Sequence, residues 1–202
     1  WDSIYFPSNH EPEQSKYNQI AARYYEVNVN NAIDLNKQIQ VDKLKISDLG
    51  RLSLHPDSNL SVLMDINIEG GSLQNEGILS TNNLLITNGV FQNINETIIS
   101  NNLKMQNNFL KNNGTLTAKN IEIDKGKVSG IGVFISDEFW NKGEISPGQE
   151  DDAIGTITIK SNLVNDGIIK LDLDNNKQSD LIITNELTLN GQLTINPVSA
   201  FY

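Results

Sequence analysis

The sequence contains no cysteine. Disulfide frameworks, thiolate zinc sites and cysteine nucleophiles are therefore excluded together. Arginine occurs only at Arg23 and Arg51, and histidine only at His10 and His55. The formal charge is −10 and the pI near 4.6. Such a chain repels phosphate backbones and has almost no bidentate forks to hold them, so nucleic acid is not expected as a partner and anionic lipid is disfavoured. No run approaches the roughly 18 apolar residues of a membrane helix, and no basic-then-apolar leader opens the chain. Trp1 at the start, and Phe201-Tyr202 directly after a β run, read as cuts from a longer chain.

Side chains with catalytic chemistry are scarce as well. A Ser-His-Asp arrangement could use His10 or His55, but no G-x-S-x-G elbow is present. From residue 61 onward there is neither Arg nor His, and Lys104, Lys119 and Lys160 are scattered. The acidic groups are Asp137-Glu138, Glu150-Asp151-Asp152, and Asp172 with Asp174. Glu150, Asp151 and Asp152 form a candidate calcium site if backbone carbonyls join them, although a charge run is also what a solvated loop looks like. Asp172 and Asp174 alternate with Leu171 and Leu173, which predicts one outward acidic face. No catalytic residue or resident cofactor is assigned.

What the chain has in abundance is asparagine, at 29 positions, and periodicity. Ile66-Asn67-Ile68 leads to Leu73, Asn75 and Gly77. Leu84-Leu85-Ile86 leads to Phe91, Asn93 and Glu96. Leu103-Lys104-Met105 leads to Leu110, Asn112 and Gly114, and Ile121-Glu122-Ile123 leads to Val128 and Gly132. Equivalent positions are 18 or 19 residues apart. A further apolar segment closes each repeat: Ile78-Leu79-Ser80, Ile98-Ile99-Ser100, Leu116-Thr117-Ala118, Phe134-Ile135-Ser136. Three short β segments per repeat, with alternating apolar residues and Asn/Gly corners, predict a coil.

A strand rises about 3.3 Å per residue, so such a coil has a perimeter of roughly 60 Å, suited to a three-sided prism whose successive turns pair about 4.8 Å apart. The fold expected is all-β, a right-handed parallel β-helix occupying 41–202. Asn75, Asn93 and Asn112 then stack at one corner, where their amides can hydrogen-bond from coil to coil. Residues 1–40 lack the repeat but hold Trp1, Tyr5, Phe6, Tyr17, Tyr24 and Tyr25. They read as an amino-terminal cap over the open end of the coil. Trp1, Tyr24 and Tyr25 double as candidates for stacking on a glycan.

The segment 143–195 carries an ordered set of motifs. Gly143-Glu144-Ile145-Ser146-Pro147-Gly148 precedes Ile154-Gly155-Thr156-Ile157-Thr158-Ile159. Then come Asp166-Gly167, Ile169-Lys170-Leu171-Asp172-Leu173, Ser179-Asp180-Leu181-Ile182-Ile183, and Leu187-Thr188-Leu189-Asn190-Gly191-Gln192-Leu193-Thr194-Ile195. This order resembles the carboxy-terminal passenger region of autotransporters and related bacterial surface β-helix proteins, the pertactin-like type. It departs from that pattern at Asn185 and Glu186, where glycine is common. The resemblance implies an exported protein at the bacterial cell surface or beyond the outer membrane, with a membrane-embedded barrel lying outside this sequence.

Three functions follow as expectations. The first is a non-enzymatic adhesion or scaffold module that meets a host or cell-surface protein or glycan. The second is a carbohydrate-active or glycan-binding β-helix, either a polysaccharide lyase or hydrolase or a binder without turnover. The third is a self-associating coat or matrix protein.

Overall fold

The computed structural model describes residues 25–149 and 153–198. They form a parallel β-solenoid of about six turns, with no helix among the described residues. The first strands are β1 (Glu26–Val29), β2 (Ala32–Leu35), β3 (Gln38–Val41), β4 (Lys43–Ile46) and β5 (Arg51–Leu54). Thereafter long and short strands alternate: β6 (Asn59–Ile68), β7 (Ser72–Asn75), β8 (Ile78–Ile86), β9 (Val90–Asn93), β10 (Glu96–Met105), β11 (Phe109–Asn112), β12 (Thr115–Ile123) and β13 (Lys127–Gly130). The pattern continues through β14 (Val133–Asn141), β15 (Glu144–Pro147), β16 (Thr156–Asn165), β17 (Ile168–Leu173), β18 (Leu181–Leu189) and β19 (Gln192–Pro197).

The long strands, together with β1, β3 and β4, build a 10-stranded sheet, and the short ones build a 9-stranded sheet. Every strand pairing is parallel, and each long strand from β8 to β16 lies between its predecessor and successor one coil away. Two sheets still enclose three sides, because each long strand turns a corner midway. In β8, Leu79 and Thr81 face inward, and Leu84 and Ile86 face inward, with Asn82 and Asn83 consecutive between them. Strict alternation would place every second side chain inside, so the slip marks a bend. The register breaks there too, between Val62 and Asp65 in β6 and between Ile99 and Asn102 in β10.

Inward side chains stack in columns. One runs Leu73, Phe91, Leu110, Val128, Ile145 and Ile169, all buried, and another runs Ile66, Leu84, Leu103, Ile121, Phe139 and Leu163. Burial of each such apolar side chain contributes about 1.5–3 kcal/mol. Phe134 and Phe139 meet edge to face at the bend of β14, with centroids 5.4 Å apart and planes at 87°.

The asparagine ladder is present. Asn75, Asn93 and Asn112 are fully buried. Asn75 Nδ2 donates to Asn93 Oδ1 at 3.0 Å, and Asn93 Nδ2 to Asn112 Oδ1 at 2.8 Å, across sequence separations of 18 and 19. The ladder stops at Gly130, one coil on. There φ is +115°, and a Cβ would lie 2.0 Å from the Asn112 carbonyl oxygen, so no side chain fits. A second ladder opens at another corner, where Asn141 Nδ2 donates to Asn165 Oδ1 at 2.6 Å over a separation of 24.

That larger separation marks a change in the coil. From β6 to β14 the step is the expected 18 or 19, but Gly155 and Asp180, and Asp166 and Asn190, are joined by hydrogen bonds spanning 25 and 24 residues. The strands have not lengthened in proportion. The added residues fall between β15 and β16 and between β17 and β18, at the corner that Glu76-Gly77 alone turns between β7 and β8. The segment that resembles autotransporter passengers is thus the segment with the longer coils. Parallel pairing already begins at Glu26, within the stretch 1–40 read as cap. The cap aromatics from Trp1 to Tyr24 lie outside the described residues.

Candidate binding face

The side formed by the second half of each long strand carries the most varied outward chemistry. Its first outward column is polar throughout. Asn83 Nδ2 donates to Asp65 Oδ1 at 2.8 Å, Asn102 Nδ2 to Asn83 Oδ1 at 3.3 Å, and Asn120 Nδ2 to Asn102 Oδ1 at 3.0 Å. Glu138 stands next in register.

The second column runs Lys104, Glu122, Trp140 and Val164. Trp140 is 46% exposed, and it is the only exposed aromatic among the described residues. Its position follows from its neighbour. Phe139 is locked into the core against Phe134, so the next side chain along the strand must point outward. Glu138 and Lys142, two residues to either side, share that outward direction and are exposed.

Beside Trp140 lies a four-residue charge cluster. Lys104 Nζ is 2.9 Å from Glu122 Oε2 and 3.0 Å from Asp124 Oδ2. Lys142 Nζ is 3.3 Å from Glu122 Oε1 and 3.5 Å from Asp124 Oδ1. Hydrogen bonding to Glu122 raises both ammonium groups above the usual lysine range, and the hydrogen bond from Lys104 holds Asp124 below the usual carboxylate range. All three shifts lead away from neutrality. An acid–base catalyst works best with a pKa near the working pH, so these groups suit permanent charge and hydrogen bonding rather than proton transfer.

At another corner a second cluster joins the longer connections. Asp172 is only 1% exposed, while Leu173 is exposed. This corrects the expectation that Asp172 and Asp174 share an outward face. Asp172 Oδ1 accepts from Asn196 Nδ2 at 2.7 Å and lies 3.8 Å from Lys170 Nζ. Asp174 instead closes a turn, its Oδ1 accepting from the backbone N–H of Asn176 and Gln178. The buried carboxylate that organises the corner is Asp180, which accepts from Gly155 N at 2.8 Å and Asp172 N at 2.9 Å. Burial pushes Asp180 up, against the pull of those two hydrogen bonds. Asp180 therefore ties the Ile154-Gly155-Thr156 and Ser179-Asp180-Leu181 motifs together in space.

Of the residues singled out from sequence, Trp1 and Tyr24 and the calcium candidates Glu150, Asp151 and Asp152 lie outside the described residues. Tyr25 is described and half-buried; its backbone N–H donates to Asp42 Oδ2 at 2.7 Å. His55 is exposed at the corner after β5, its carbonyl accepting from Ser58. Sequence reasoning missed Trp140. The signal was the Glu138–Phe139–Trp140–Asn141–Lys142 alternation, which places an aromatic between an acid and a base on one face.

The architecture belongs to the parallel β-solenoid class. No protein-family model, curated protein or solved structure matches the chain.

Proposed function

We propose that the chain is an exported bacterial surface β-helix of the autotransporter-passenger kind, acting as a non-enzymatic adhesion or scaffold module. The observation that carries this reading is the unbroken parallel pairing from Glu26 to Pro197, a rod whose corner amides are satisfied from coil to coil. A chain built this way presents long, rigid sides for recognition. The charge cluster beside Trp140 fits binding better than acid–base chemistry, for the reason given above. The Asp180 tie supplies a structural purpose for two of the motifs on which the resemblance rests.

The test is proteolytic shaving of intact source cells, followed by blotting with antibody to 25–198. Loss of the signal with cytosolic markers intact supports surface exposure, and a protein confined to the cytosol overturns it. Turnover of any polysaccharide by the purified chain would overturn the non-enzymatic part.

A further inference from the structure

We propose that Trp140 and the polar groups around it form a binding site for an uncharged saccharide, lying on the side of the rod rather than at its amino-terminal end.

The indole is exposed although its strand is rigidly held. Phe139 and Asn141, on either side of it, are fully buried, and β14 pairs with β12 and β16 along its length. Its position is therefore set before any ligand arrives, which reduces the ordering cost of binding. The pairing on both sides also removes one class of partner. A peptide cannot add as a strand here, because no free edge exists at β14. Recognition must come from side chains.

Those side chains are an aromatic surface with Val164 on one side and Glu122 on the other, and Glu138 and Lys142 along the strand. An indole offers an apolar face to the C–H side of a pyranose ring. Carboxylates accept, and an ammonium donates, the hydrogen bonds of ring hydroxyls. Glu122 and Lys142 are already held together at 3.3 Å, so the polar groups too are preorganised.

Charge decides between neutral and acidic sugars. Lys104 and Lys142 both already face Glu122 and Asp124. Glu138 adds a further carboxylate, and the chain as a whole carries −10. A uronic acid or sulfated sugar would meet repulsion from Glu122, Asp124 and Glu138, while the two lysines nearest the indole along its column and strand are already paired. An uncharged ring meets none. This site goes beyond the scaffold reading and stands whether or not the protein reaches the cell surface.

The experiment uses the full chain in a Trp1→Phe background, which leaves Trp140 as the sole tryptophan. The protein is applied to an array of uncharged and uronic-acid glycans. Emission is then followed while cellohexaose, maltohexaose or polygalacturonate is titrated. The proposal expects saturable binding to uncharged glycans with a shift in Trp140 emission. Affinity should weaken at least tenfold in Trp140→Ala, measured by calorimetry, and be largely kept in Trp140→Tyr. Circular dichroism and melting temperature should stay unchanged in both, since the side chain is on the surface. No response to any uncharged glycan overturns the proposal. So does binding confined to uronic-acid polymers, or an affinity unchanged in Trp140→Ala.

Discussion

Asn75 Nδ2 donates to Asn93 Oδ1 over 3.0 Å at a corner where both side chains are fully buried. Asn93 is also the acceptor for Thr97 Oγ1 at 2.8 Å, so the ladder is braced sideways as well as along the stack. A buried amide left unpaired costs about 1–3 kcal/mol. Asn93→Ala strands the Oδ1 of Asn112 and the hydroxyl hydrogen of the buried Thr97, and should lower stability by about 2–4 kcal/mol. Urea denaturation checks this. Asn93→Asp should destabilise more at pH 7 than at pH 4, because burial disfavours the carboxylate and the protonated form can still donate.

Phe134 fills the interior at the bend of β14, edge-on to Phe139. Truncation leaves a cavity that paired strands on both sides prevent from collapsing. Phe134→Ala should cost about 3–5 kcal/mol, and Phe134→Leu clearly less. The midpoint of chemical denaturation measures both.

Asp180 gives the longer coils a pH response. Its carboxyl is raised above the ordinary range, chiefly by burial. The folded state therefore binds that proton more tightly than the unfolded chain does. The stability this contributes is fully present below the unfolded pKa and is lost as pH rises through the raised folded value. Asp180→Asn should flatten that portion of the stability–pH curve. It also removes one of two acceptors, leaving Gly155 N or Asp172 N unpaired at a cost of about 1–3 kcal/mol. Melting temperature against pH for both proteins decides it.

The last coil should exchange first. Among the described residues β18 and β19 each pair with one neighbour only, and Leu187 and Leu193 are half exposed where their counterparts Leu163 and Ile169 are buried. Local opening follows low burial. Amide exchange by mass spectrometry should show less protection in 181–197 than in 96–123, by about tenfold or more for each 1.4 kcal/mol of lost local stability. Equal protection throughout would show that the end is covered.

Much of this fold was legible because a solenoid repeats its own evidence. The 18–19 spacing placed Leu73, Phe91 and Leu110 in one column and Asn75, Asn93 and Asn112 in another, and both columns are present. Local alternation was less reliable at corners. Asp172 follows Leu171 as an outward residue should, yet its backbone N–H is bound by a carboxylate eight residues later, and the strand end turns it inward. Trp140 was readable from Phe139, but only once the interior column containing Phe139 was recognised.

The amino-acid sequence by itself determined the coil: its period, its three segments, its apolar interior and its asparagine corner. These depend on side-chain alternation and on equivalent residues recurring at a fixed step, which are properties of the chain order. Tertiary structure alone decided which exposed groups meet. Lys104, Glu122, Asp124 and Lys142 come from three successive coils, and Gly155 and Asp180 from two, so their proximity exists only after the strands pair. Parallel stacking brings residues 18 to 25 positions apart to within hydrogen-bond distance, and the corners set which of them face each other.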